Sequence, residues 1–467
     1  MRIILRRSHP TFESSFLRET RVKEGSPFLK LGEPRLHFKS RLKPEKTSRN
    51  MRKYVIALVV ILGLIGSSLN LDFTSEDKLS RDGKAFSLFQ VVKFQNGPCQ
   101  SATRNGTCYT ASECVSRNGF TSGDCAGGFG VCCIFTLGCG ETTTDNCTYL
   151  SRTPDPGLND CQYTICKASN NVCRIRFDFM AFDLASPVLG LTTTVATDAA
   201  ISTNGGAIGD CLADKFSITS PGNVAPPQIC GFNTGQHMIV DASEKCHVAS
   251  FNLERTSSTY DIKVTQYLCG DEMAGPDGCL QYFVGNTGTV ASFNFPTQAS
   301  IVPPETTHLS NQCYTMCFRQ EQGKCAICYQ AVDVAGQGSF GLSKTVTATV
   351  TGENNNDCFM DYLMIPGALR DSGVVANNRM FVVGNIPDGR DFNNRICGRF
   401  FHLASIRANR VDNTESICTS QRPFQITFKT DDTELTLAAV NMPEMNEQSG
   451  SPGGITGFNL NWALQDC

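Results

Sequence analysis

The chain has 467 residues, 41 Lys and Arg against 44 Asp and Glu for a net charge of −3, 40% hydrophobic residues, and 24 cysteines, all of them between Cys99 and Cys467. Such cysteine usage belongs to a disulfide scaffold in an oxidising compartment and excludes an ordinary cytosolic enzyme. The length and apolar content exclude a wholly disordered chain and suit two or three domains.

Charge divides the chain. Up to Lys53 there are 15 Lys and Arg against 5 Asp and Glu, and beyond it 26 against 39. The cysteine-bearing part is therefore acidic, which excludes nucleic acid as a partner, because phosphate binding needs a basic face that displaces counterions. Cations and basic proteins stay open.

In chain order, residues 1–50 read as a basic, disordered extension. Residues 51–70 begin Met51-Arg52-Lys53, continue with an apolar run from Tyr54 to Gly66, and close on Ser67-Ser68-Leu69-Asn70. That is the pattern of a secretory signal peptide, and the run is shorter than the roughly 20 apolar residues of a membrane span. The extension ahead of Met51 leaves two alternatives. Either translation starts at Met51, or residues 54–69 stay uncleaved as a signal anchor with the basic flank in the cytoplasm. A mitochondrial presequence is a third reading, opposed by five glutamates and by the cysteines downstream. Secretion and anchoring both place the cysteines outside the cell. Asn105-Gly106-Thr107 and Asn146-Cys147-Thr148 are N-glycosylation acceptors that agree with that side.

Residues 71–98 are polar and free of cysteine, a linker. Residues 99–133 then hold Cys99, Cys108, Cys114, Cys125, Cys132 and Cys133 among Gly, Ser, Thr and Asn. So short a block cannot bury a core of its own, and cross-links must supply its stability at about 2–4 kcal/mol each. The adjacent Cys132 and Cys133 should reach different partners. A zinc cluster is the rival, disfavoured by the oxidising compartment and by the lack of histidine within the block.

The block resembles the clip module of secreted arthropod proteins in its six cysteines, in Gly106-Thr107-Cys108 spaced to Cys114, and in the closing Val131-Cys132-Cys133. The resemblance implies the bridges Cys99–Cys132, Cys108–Cys125 and Cys114–Cys133. Clip modules often precede a trypsin-like protease, yet the chain has no Gly-Asp-Ser-Gly-Gly, Gly-x-Ser-x-Gly, His-Glu-x-x-His or Ala-Ala-His-Cys. The histidines beyond residue 70 are His237, His247, His308 and His402, none in a catalytic setting. Gly336-Gln337-Gly338-Ser339-Phe340-Gly341 reads as a loop and not as a phosphate cradle. The expectation is a protein that is not an enzyme.

From Cys139 to Cys467 the chain reads as all-β. Apolar and polar residues alternate at Ile175, Phe177 and Phe179; at Ile262 and Val264; at Val346, Ala348 and Val350; at Phe424, Ile426 and Phe428; and at Phe458, Leu460, Trp462 and Leu464. Such short strands between Gly, Pro, Asn and Asp clusters point to β-sandwiches.

A pattern recurs within this part. Cys211-Leu-Ala-Asp214, Ile229-Cys230-Gly231 and Tyr260 to Cys269 form one copy. Cys358-Phe-Met-Asp361-Tyr362-Leu-Met-Ile365, Ile396-Cys397-Gly398, Pro423 to Asp432 and Gly457 to Trp462 form the other. Both are similar to the CUB family, whose hallmark is Cys-x-x-Asp-Tyr-Leu-x-Ile, then Cys-Gly, then an Asp before a closing Gly-Phe strand. The resemblance implies jelly-roll-like sandwiches at 139–269 and 279–467, with bridges Cys211–Cys230 and Cys358–Cys397. It also implies calcium at Asp361 and Asp431, assisted by Asp432, because many CUB domains hold the ion with carboxylates at one end of the sandwich. In the first copy Asp214 and Asp241 match, but alanine stands within Phe182-Asp183-Leu184-Ala185 where the family has a glutamate. Turn-capping is the alternative role for these aspartates.

The cysteines left over, among them Cys313, Cys317, Cys325 and Cys328, are expected in local disulfides, and the even total allows twelve bridges. The expected function is extracellular binding of a protein or glycan. The alternatives are a non-catalytic regulator of a clip-domain protease cascade and a membrane-anchored receptor or matrix protein.

Overall fold

The computed structural model describes residues 93–152, 159–188, 208–303, 306–334, 337–342, 358, 360–375, 378–382, 394–398, 401–403, 416–432 and 455–467. The extension 1–50, the segment 51–70, most of the linker 71–98 and the alternation at Val346, Ala348 and Val350 lie outside the described residues. The described residues belong to one compact unit, Gln90–Cys467.

The N-terminal block supplies β1 (Pro98–Gln100), β2 (Asn105–Tyr109), the short helix α1 (Ala111–Ser116), β3 (Phe120–Cys125) and β4 (Gly130–Leu137). Next come β5 (Thr142–Thr143), β6 (Thr148–Ser151), β7 (Asp160–Ile165) and β8 (Val172–Asp183). The first half ends with β9 (Lys215–Ile218), β10 (His237–Asp241), β11 (His247–Asn252) and β12 (Thr259–Leu268).

The second half opens with β13 (Gln281–Phe283), β14 (Thr287–Ala291), β15 (Cys313–Phe318) and β16 (Lys324–Ala331). Short strands come next: β17 (Asp333–Val334), β18 (Gln337–Gly338), β19 (Phe340–Gly341) and β20 (Tyr362–Met364). The rest are β21 (Leu369–Val375), β22 (Asn378–Val382), β23 (Arg395–Ile396), β24 (Ile417–Thr419), β25 (Gln425–Lys429) and β26 (Gly457–Asp466). The described fold is nearly all-β, in keeping with the alternation in the sequence.

The strands form two sandwiches. In the first, a sheet ordered β1-β2-β4-β6-β12-β8-β10 faces one ordered β5-β7-β11-β9. Ile175, Phe177 and Phe179 of β8, with Ile262 and Val264 of β12, are buried against Tyr163, Phe216 and Phe251 of the facing sheet. Alternate side chains of a strand point to opposite faces, so the residues between them face outward. The second sandwich sets β13-β15-β25-β20-β23 against β14-β26-β16-β24-β21-β22. Met316, Ile426, Phe428, Phe458, Leu460 and Trp462 fill it. Phe179 and Phe293 approach to 6.5 Å and join the two cores into one apolar cluster.

The N-terminal block is continuous with the first sandwich. β4 runs past Cys133 to Leu137 and pairs in parallel with β6, Phe135 opposite Thr148. Ile134 and Phe135 are buried, which explains why the strand does not stop at the last cysteine of the block.

Within the block the sulfurs join Cys99 to Cys132, Cys108 to Cys125 and Cys114 to Cys133. Elsewhere they join Cys139 to Cys161, Cys166 to Cys246, Cys173 to Cys269, Cys211 to Cys230, Cys279 to Cys317, Cys325 to Cys467, Cys328 to Cys418 and Cys358 to Cys397. Two expectations need correction. Cys313 and Cys317 do not pair locally, because both lie on β15, about 13 Å apart in an extended strand. Cys325 and Cys328 share β16 and fail to pair for the same reason. Nor are there twelve bridges, since Cys147, buried, and Cys313, exposed, carry free thiols.

Candidate functional site

Each sandwich repeats one corner. Cys230 precedes Gly231 at φ +72°, and Cys397 precedes Gly398 at φ +85°, conformations that favour glycine. A Cβ on Gly231 would stand 1.8 Å from Asn294 Oδ1. The glycine carbonyl accepts from Leu184 in the first sandwich and from Leu342 in the second.

Asp214 sits at the first corner, 1% exposed. Its Oδ1 accepts the backbone N–H of Glu254 and Arg255, and its Oδ2 accepts that of Ala185 and the hydroxyl of Ser258. Burial pushes its carboxyl up, but these four donors outweigh burial and hold the pKa below the ordinary carboxylate value. With both oxygens taken, Asp214 does not fit a calcium cage, and Asp241 lies apart on β10, paired to Arg174 at 2.9 Å. In the second sandwich Asp361 is buried and its Oδ1 accepts the N–H of Asp431 at 2.8 Å, with Asp432 exposed beside it. Among the described residues no three His, Cys, Asp or Glu side chains gather as metal ligands.

The outer face of the first sheet carries the charges. The outward residues are Arg174, Arg176 and Asp178 on β8, and Asp261, Lys263, Thr265 and Tyr267 on β12, with Lys263 opposite Asp178 in register. Arg176 pairs with Asp178 at 2.7 Å. Arg104, from the turn between β1 and β2, pairs with Asp261 at 2.9 Å and lies 4.3 Å over the ring of Tyr149. Arg117 pairs with Asp145 at 2.8 Å. Among the described residues the ammonium of Lys263 has neither hydrogen bond nor ion pair.

Two cavities open on this face, of about 640 Å³ and 760 Å³, and both are walled by Gln100, Asn105 and Lys263. Volumes of this size are those of ordinary small-ligand sites. The sequence held one signal for the face, the polar Lys263 between Ile262 and Val264. It held none for Arg104, whose role depends on β4 continuing the sheet.

The glycosylation acceptors differ. Asn105 is exposed at the start of β2. Asn146 has its Oδ1 accepting from the N–H of Cys147 and of Gln266, and its Nδ2 donating to Gln266 O. The buried thiol of Cys147 donates to Asn105 O at 3.3 Å. Burial pushes that thiol up in pKa, Lys263 pulls it down, and the upward effect wins.

Beside the apolar contact of Phe179 with Phe293, the junction between the sandwiches carries hydrogen bonds. Ile239 N–H donates to Leu280 O at 2.7 Å, and Asn294 N–H to Asn233 Oδ1 at 2.8 Å. Tyr282 N–H donates to His237 Nε2 at 2.9 Å.

Residues 276–465, the span of the second sandwich, match the family model described as animal CUB domain. A search of curated proteins found no match to the chain. Among solved structures, the chain is similar to the CUB1-EGF-CUB2 domain of human MASP-1/3 at 14% identity and TM-score 0.18, over 68% of this chain and 98% of that one. It is also similar to the full extracellular region of zebrafish Gpr126/Adgrg6 at 10% identity and TM-score 0.20, over 71% of this chain and 37% of that one.

Proposed function

We propose that the chain is an extracellular, non-enzymatic binding protein whose ligand seats on the outer face of the first sandwich, against the N-terminal block. The observation that carries this is the pair of cavities sharing Lys263 on a sheet whose inner face is wholly used by the core. The disulfide network suits an oxidising compartment, and the animal CUB match at 276–465 supports an extracellular setting. The first sandwich is a second copy of that fold, supported by the repeated Cys-Gly corner, and the clip-like block extends its sheet. Binding on this face needs no cofactor.

The test is a panel of extracellular proteins, glycans and clip-domain proteases probed with the secreted protein and with the variants Lys263→Glu and Met180→Glu. Met180 is 58% exposed on this face. Both variants should lose the ligand. Val224→Glu, in the loop after β9, should keep it. Ligand capture that survives both face variants places the site elsewhere.

A further inference from the structure

Resting on that binding reading, we propose that the two cavities hold an acidic saccharide with sparse charge, one carboxylate of which pairs with the ammonium of Lys263. Lys263 stands on β12 between Ile262 and Val264, whose side chains are buried, so its own side chain faces outward between the cavities. The neighbouring cations and acids are already paired, as Arg104 with Asp261, Arg176 with Asp178 and Arg117 with Asp145. Asp271, on the wall of the larger cavity, accepts the N–H of Met273 in its own turn. Among the described residues of this face, Lys263 is the cation left without an acid, and Asp271, at the wall of the larger cavity alone, is the acid left without a cation.

The rest of the wall decides what carries the anion that meets Lys263. Gln100, Thr103 and Gln298 line the smaller cavity with amides and a hydroxyl that both donate and accept, beside Ser101 and Gln236, whose side chains already bond within the protein. Such groups suit a chain of sugar hydroxyls. An extended peptide could not add as a strand beside Lys263, because β12 is paired on both sides, with β6 and β8. The edge strand β1, whose Gln100 walls both cavities, is where a peptide would add, and the hexaglutamate probe tests it. A densely sulfated polymer is disfavoured because the chain beyond Lys53 carries 26 Lys and Arg against 39 Asp and Glu. One uronate per disaccharide fits both constraints.

The test is calorimetry on the secreted protein carrying Asn105→Gln, so that a glycan of its own does not stand at the shared wall. The probes are a hyaluronan hexasaccharide, its carboxyl-reduced neutral analogue, chitohexaose and a hexaglutamate peptide. Saturable binding is expected for the hyaluronan probe alone. Affinity should fall about tenfold or more in Lys263→Met and stay within about threefold in Lys263→Arg. Among the described residues Lys263 has no partner to orphan, and unchanged Trp462 fluorescence will show that the variants are folded. Equal binding of a neutral sugar, binding of hexaglutamate alone, or indifference to Lys263→Met overturns the proposal. If no saccharide binds while the panel still yields a ligand sensitive to Lys263→Glu, the saccharide assignment falls and the binding face stands. If the panel ligand is also indifferent to the face variants, both fall.

Discussion

His237 of the first sandwich accepts the backbone N–H of Tyr282 of the second on its Nε2, at 2.9 Å, so the two halves share a hydrogen bond through an imidazole. Burial first, and then the charge of Arg176, hold the pKa of His237 well below its ordinary value of 6.5. Asp178, opposite His237 in register, is already paired to Arg176.

Stability should therefore depend on pH through this residue. The unfolded histidine takes up a proton below about pH 6.5, while the folded one refuses it until a lower pH. The contribution is full above the unfolded pKa and is lost as pH falls toward the folded one, at no more than about 1.4 kcal/mol per pH unit. Melting from pH 7.5 to 5 should show the decline, and His237→Gln should flatten it. A residual slope is expected from His247, whose pKa burial also lowers. An unchanged slope in His237→Gln contradicts the assignment.

Asp214→Ala removes the acceptor for four donors at the first corner and should cost several kcal/mol, because buried donors left unmade cost about 1–3 kcal/mol each. The lowered pKa of Asp214 adds an acid limb. Its contribution is present above the unfolded carboxylate pKa and lost as pH falls through the folded one. Urea midpoints of wild type and Asp214→Ala at pH 7 check the first point. A shift equivalent to less than about 1 kcal/mol would contradict it.

Thiol counting tests the sulfur network. Native protein should react with one equivalent of a thiol reagent, at exposed Cys313, and denatured, unreduced protein with two, as buried Cys147 opens. No reactive thiol after denaturation would mean twelve bridges.

Trp462 is the sole tryptophan and is buried in the second sandwich. The shared core through Phe179 and Phe293 predicts that its fluorescence and the circular dichroism of the whole chain change at one urea concentration. It also predicts that Asp214→Ala, in the other sandwich, moves the Trp462 midpoint. Two separate transitions would show independent halves.

The strands were legible wherever one face is buried. Phe177, Ile262 and Ile426 repeat at period two because the residues on either side of each point to the outer face. The repeated Cys-Gly corner was legible because the positive φ that follows each cysteine favours glycine. The boundary after Cys133 was misleading, since Ile134 and Phe135 carry the block into the sandwich by a parallel pairing with distant residues. The cavities were not legible at all. The smaller one is walled by Arg104 meeting Asp261 across 157 positions, and no local pattern encodes that meeting.

The most direct measurement is lysine footprinting by acetylation and mass spectrometry, with and without saturating ligand. Lys263 should lose reactivity on binding while Lys215, on β9 of the opposite sheet, keeps it. Protection of Lys215 or Lys429 with Lys263 unchanged would contradict the binding face.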